Sequence, residues 1–167
     1  MKKSSYDPSQ EAKTLFEAAD RFEEKNQFRE AFRCLSKSAA LGHSSSQLNL
    51  GNFYASGRGV KKDLAKAAYW YKVAYRGGNV TAARNLAVDR VASGNTKSAI
   101  LWFSKGVEKK DGGSFVGLAK IYARQRDGKR KAIKLLKRVR NLTSSDASDL
   151  DKEQAQELLS QLLAGGK

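Results

Sequence analysis

One histidine, one cysteine and a dense run of cations are the residues of this chain with chemistry to explain. His43 and Cys34 are the only residues of their types among 167. With no second thiol there is no disulfide within the chain, and no Cys/His set has metal-ligand spacing. His43 follows a helix stop at Gly42, which suits a turn residue better than a catalytic base. Cys34 sits on the apolar side of its helix and reads as a small buried hydrophobe in a reducing compartment. Gly57-Arg58-Gly59 is too short for a phosphate-cradling loop, and no dinucleotide fingerprint occurs. Carboxylates are sparse through the central region, so paired acid–base catalysis has no residues to use. What is left is charge and hydrogen bonding. That points to binding without catalysis, with no metal, cofactor or small-molecule substrate.

The charge is concentrated. The net balance is +15. Met1 to Glu30 carries six basic and seven acidic residues, Ala31 to Arg140 carries 24 and five, and Asn141 to Lys167 carries two and five. The densest run is Arg124, Arg126, Lys129, Arg130, Lys131, Lys134, Lys137, Arg138 and Arg140, interrupted by Asp127. Ile133, Leu135, Leu136 and Val139 take the inward positions of its helix, so the cations form a solvated basic face. Three readings are open. The face keeps the chain soluble, or steers an acidic protein partner, or contacts nucleic-acid phosphates. No aromatic follows Tyr122 in the run, which disfavours stacking on single-stranded bases.

These residues are positioned by a repeating pair of helices. From Ser46 to Gly78, Leu50, Gly51, Phe53 and Tyr54 recur at helical spacing. After a turn at Gly57 and Gly59, Ala67, Ala68, Trp70, Tyr71 and Ala74 do the same, with Asp63 placed as an N-cap. Small residues at Gly51, Ala67 and Ala74 allow the two helices to approach closely. Leu86, Ala87 and Arg90, then Leu118, Ala119 and Tyr122, repeat the first helix. Ala99, Trp102 and Phe103, then Ala132, Leu135 and Leu136, repeat the second, so the aromatic residues read as packing positions. Ala19, Phe22, Ala31 and Leu35 supply an earlier copy. A hairpin of this size cannot bury its apolar face alone and must stack on its neighbours.

The central copy resembles the Sel1-like repeat. The resemblance is carried by Ser46, Leu50, Gly51, Tyr54, Gly57, Gly59, Val60, Asp63, Ala67, Trp70, Tyr71 and Ala74. The copies from Ala82 to Gly112 and from Ser114 to Arg140 match less well, and the first looks more like a tetratricopeptide repeat. The resemblance implies an all-α, right-handed α-solenoid of about four stacked TPR/Sel1-like hairpins with a C-terminal capping helix. It also implies a non-enzymatic adaptor or scaffold, in a family with many bacterial members. Small free-standing members are sometimes cognate inhibitors, such as immunity proteins paired with a secreted toxin.

The expected layout is a flexible tail over 1–9, a repeat domain over 10–143, and a capping helix with a frayed end over 144–167. The repeats fall at about 10–42, 43–78, 79–113 and 114–143. Gly77-Gly78 and Gly112-Gly113 are expected to close the second and third hairpins. Leu158, Leu159, Leu162 and Leu163 form one side of the last helix, whose acidic residues can lie against the basic final hairpin.

On the tetratricopeptide-like phase the concave face takes Phe16 and Asp20, Leu48 and Asn52, Arg84 and Val88, and Val116 and Lys120, with Asn49 and Asn85 beside them. Arg84, Lys120 and Arg124 are candidates to receive a partner's carboxylates, and Asn52 to bond its backbone. The basic surface adds Lys129, Arg130, Lys134, Lys137 and Arg138. The expected partner is an acidic protein, met as a peptide segment or as a toxin or effector. A nucleic acid is the alternative. The start MKKSSYDPSQ has no apolar core for a signal peptide, and no apolar run approaches the ~20 residues of a membrane span. The expected location is the cytoplasm.

Overall fold

The computed structural model describes residues 7–164. The expected tail before Asp7 and the expected fraying of Gly165, Gly166 and Lys167 lie outside the described residues. Within them are nine helices and no strand. They are α1 (Pro8–Glu24), α2 (Phe28–Ala40), α3 (Ser44–Ser56), α4 (Leu64–Arg76), α5 (Thr81–Ala92), α6 (Thr96–Glu108), α7 (Gly112–Ala123), α8 (Lys129–Val139) and α9 (Asp149–Ala164). The fold class is the all-α hairpin solenoid with a C-terminal helix. The chain divides into two compact units, Met1–Ala82 and Ala83–Lys167.

In the first unit α1 packs on α2, α2 on α3 and α3 on α4. Its core joins Ala19, Ala31, Leu35, Ala39, Leu50 and Phe53. The boundaries follow from local chemistry. Asp7 accepts the Ser9 N–H at 2.9 Å and Pro8 stands at the first helical position, so α1 starts inside the segment 1–9 expected to be a tail. Asp63 accepts from the N–H groups of Ala65 (3.0 Å) and Lys66 (2.9 Å), as an N-cap should. Gly57 and Gly59 take φ of 78° and 64°, and a Cβ on Gly59 would run into the Phe28 carbonyl. That turn therefore needs glycine for both its backbone angle and its closeness to α2. Tyr71 is buried, whereas Trp70 is half-buried at the rim of the core.

A buried polar chain ties three helices of this unit together. Ser38 Oγ donates to the Ala12 carbonyl at 2.6 Å and lies 2.7 Å from Ser46 Oγ. Ser46 Oγ in turn lies 2.8 Å from His43 Nδ1. Both serines are fully buried, and the His43 ring leans on Phe16 with centroids 4.9 Å apart. His43 is thus a turn residue at the start of α3, consistent with its sequence context.

In the second unit α6 packs on α7, α7 on α8, and α9 on both α7 and α8. The core gathers Phe115, Val116, Ala119, Ala132, Leu136, Val139, Ala147 and Ala155. Gly112 and Gly113 do not close the third hairpin; they open α7. Asp111 is its N-cap, accepting from Ser114 N–H at 2.8 Å and Ser114 O–H at 2.6 Å, while Lys110 takes the left-handed φ of 62°. The Gly112 N–H donates to the Asp146 carbonyl at 2.7 Å, and a side chain there would strike Ala147. These glycines serve close approach. α9 starts with a reciprocal cap: Ser148 N–H donates to Asp151 at 3.0 Å, and Asp151 N–H to Ser148 Oγ at 3.2 Å. Leu158, Leu159 and Leu162 pack inward, but Leu163 is 58% exposed, so the apolar side of α9 is narrower than expected.

Candidate functional site

The second unit contains a cavity of about 420 Å³ bounded by α5, α6, α7 and α9. On α5, Arg84, Val88 and Val91 recur at spacings of four and three and so share one face. On α7 the facing row is Gly113, Val116, Gly117, Lys120 and Arg124, with Ile121 beside it. Phe103 of α6, 3% exposed, packs directly on Gly117, where a side chain would meet its ring. Asp151 and Gln154 of α9 complete the wall. Four residues placed on the concave face by the sequence pattern, Arg84, Val88, Val116 and Lys120, and the candidate carboxylate receptor Arg124 line this one cavity. Val91, Phe103, Ile121, Asp151 and Gln154 were not anticipated as lining. The first three have a local signal in their spacing, and the α9 pair has none.

The three cations differ in their surroundings. Arg84 Nη1 lies 3.5 Å from Asp111 Oδ1 and 3.8 Å from Asp151 Oδ1, with both carboxylates largely buried. Its charge is balanced inside the chain, which removes it as a free receptor for a partner's acid. Of the α9 acids, Asp151 is thus paired with Arg84 of α5. Lys120 Nζ donates to the neutral Gln154 Oε1 at 3.2 Å and is exposed. Arg124 caps the C-terminal end of α7 and is also exposed, and a cation there is favoured by the helix dipole.

The remaining candidates lie elsewhere. Asn49 and Asn52 belong to the first unit and are half-buried. Asn52 Oδ1 accepts from Tyr71 Oη at 2.9 Å, so it serves the hairpin. Asn85 is half-buried beside Arg84 and is not among the cavity residues. On α8, Arg130, Lys134, Lys137 and Arg138 are exposed and Lys129 is half-buried. Arg138 is no bare surface charge: its guanidinium lies 4.7 Å from the centre of the buried Phe115 ring. Lys131 likewise covers Tyr122, at 5.5 Å.

The end of α1 is acidic. Partial desolvation raises the carboxyl of the exposed Asp20 above its ordinary 3.8, and Glu24 and Glu17 add to the shift. Burial also raises Glu23, against the pull of Arg58 3.5 Å away and with a further push from Asp20. Among the described residues no group of three or more His, Cys, Asp or Glu could hold a metal. Cys34 is a half-buried free thiol at the edge of the core. No described helix is long and apolar enough to cross a membrane.

Residues 22–43 and 44–79 match the Sel1 repeat family. The second match spans α3, the glycine turn and α4. The weaker copies from Ala82 onward lie outside the matched residues. No curated protein matches the chain. Among solved structures, a Sel1 repeat protein from Oxalobacter formigenes is 24% identical, with a TM-score of 0.70 over 78% of this chain. A protective antigen present in uropathogenic Escherichia coli strains, displaying an SLR fold, is 18% identical, with a TM-score of 0.69 over 93% of this chain. This chain spans 58% of the first structure's length and 38% of the second's. Two adjacent segments that match the Sel1 repeat thus lie on a fold that this chain shares with solved Sel1-repeat structures.

Proposed function

We propose that this chain is a non-enzymatic module that binds an acidic protein partner, as an adaptor or as a cognate inhibitor of the immunity type, in the cytoplasm. Sel1 repeats generally mediate protein–protein interaction on a scaffold fold. The single observation that carries the finer reading is the second unit's cavity, where apolar walls meet the exposed cations Lys120 and Arg124. Walls of that kind suit a protein segment, and the surrounding positive field speeds encounter with an acidic one. The test is a pull-down from source lysate, treated with nuclease and washed at moderate salt. The expected result is one stoichiometric acidic protein, lost on Lys120→Glu combined with Arg124→Glu. A captured protein of basic character, or capture indifferent to that double change, would reject the reading.

A second reading is favoured by the exposed cations of α8: a nucleic acid held at its phosphates. It takes first place if only nucleic acid is recovered without nuclease and nothing is recovered after treatment.

A further inference from the structure

We infer that the cavity of the second unit seats one apolar side chain of the partner, on a segment whose neighbouring carboxylates meet Lys120 and Arg124. This rests on the acidic-partner reading and names what the partner must present. The walls decide the apolar half. Val88 and Val91 are 53% and 40% exposed, and they face Val116, Ile121 and Phe103 across one concavity. A lone exposed valine needs no explanation, but apolar residues lining a shared hollow of about 420 Å³ form a seat for an aliphatic group.

Charge fixes the direction of docking. At the Arg84 end stand Asp111 and Asp151, so an incoming acid meets a cation already balanced by two carboxylates. At the other end Lys120 has only a neutral amide, and no ion pair among the described residues engages Arg124. Arg124, the C-cap of α7, follows Lys120 by four residues, a helical separation of about 6 Å between Cβ atoms. The apolar group therefore settles between the α5 and α7 walls, with its acidic neighbours toward the C-terminal end of α7.

The probe is a fluorescein-labelled peptide with one leucine between glutamates, titrated into the full chain and read by fluorescence anisotropy. Replacing the leucine by serine is expected to weaken binding about tenfold. Replacing the glutamates by glutamine weakens it severalfold, by a factor that shrinks as salt is added. Val88→Asp and Val91→Asp change exposed positions, so circular dichroism should be unaltered while the leucine peptide loses its advantage over the serine one. Equal binding of the two peptides, insensitivity to both valine changes, or no binding of any peptide overturns the inference. A lysate partner lost on Lys120→Glu with Arg124→Glu but indifferent to Val88→Asp rejects the apolar seat and leaves the acidic-partner reading standing. Displacement of the peptide by an oligothymidylate, sensitive to Val88→Asp, would assign the cavity to a base and overturn the inference.

Discussion

The ring of Tyr71 occupies the space a side chain on Gly51 would need: a Cβ there would stand 2.6 Å from ring atoms Cδ1 and Cε1. Tyr71 is 2% exposed, and its hydroxyl is bonded to Asn52 on the same helix as Gly51. The ring has little freedom to move aside. Gly51→Ala is expected to destabilise the first unit by roughly 1–3 kcal/mol through overpacking, and Gly51→Leu by more. The urea midpoint reads this directly. An unchanged midpoint for Gly51→Leu would show that α3 and α4 do not meet in this register.

The buried hydroxyl chain sets the state of His43. Three contacts join the Ala12 carbonyl, Ser38, Ser46 and His43 Nδ1, and three hydrogens are needed to make them all. The two hydroxyls supply two, so Nδ1 must carry the third and the neutral ring keeps Nε2 bare. Nitrogen-15 NMR at neutral pH should find Nδ1 protonated, and the opposite tautomer would break the count. Ser38→Ala takes this donor from the Ala12 carbonyl and leaves the buried Ser46 hydroxyl without its acceptor, and should cost about 1–3 kcal/mol.

Asp20 gives the first unit a pH dependence of known sign. Its folded-state pKa is raised, first by partial desolvation and then by Glu24 and Glu17, though the residue is exposed. The folded state therefore holds its proton more tightly than the unfolded chain. Its contribution to stability is full below the ordinary 3.8 and is lost as pH rises through the raised value. Asp20→Asn should raise the melting temperature at pH 7, aided by removing an acid near the C-terminal end of α1. The gain should vanish near pH 3. A gain of equal size at both values would assign the effect to packing.

The basic face of α8 should be tested without Arg138, because that side chain also covers Phe115. Lys134→Glu with Lys137→Glu changes two exposed cations and spares the ring contact. If phosphates are bound there, affinity for generic RNA or DNA should fall steeply with salt in the native chain, and less steeply in this variant. Absence of binding at low salt would dismiss the nucleic-acid reading.

Much of the fold was legible because the controlling signals are local. Asp63 precedes α4, Gly42 follows α2, and the apolar period of α3 and α4 is carried by neighbouring turns. A glycine pair such as Gly112-Gly113 usually marks a turn, whereas here Gly112 lies against Ala147, brought back by the loop after α8, and Gly113 against the Arg84 side chain of α5. The cavity was half legible. Val88, Val116 and Lys120 follow from helical phase, but the neutralisation of Arg84 depends on Asp111 and Asp151, which only folding brings to it. Trp70 shows the same limit: it matches the repeat motif, yet its half-exposed position places Trp70→Ala below the roughly 3–5 kcal/mol of a fully buried tryptophan.

A stack of repeats grows like a crystal in one dimension, since every added layer presents a fresh surface for the next. In the second unit α9 lies on both α7 and α8, with Ala155 buried and Leu158, Leu159 and Leu162 turned inward. Those apolar faces of α7 and α8 are thereby covered. A chain deprived of α9 would become a monomer for end-to-end polymerisation, and its light scattering would climb with concentration.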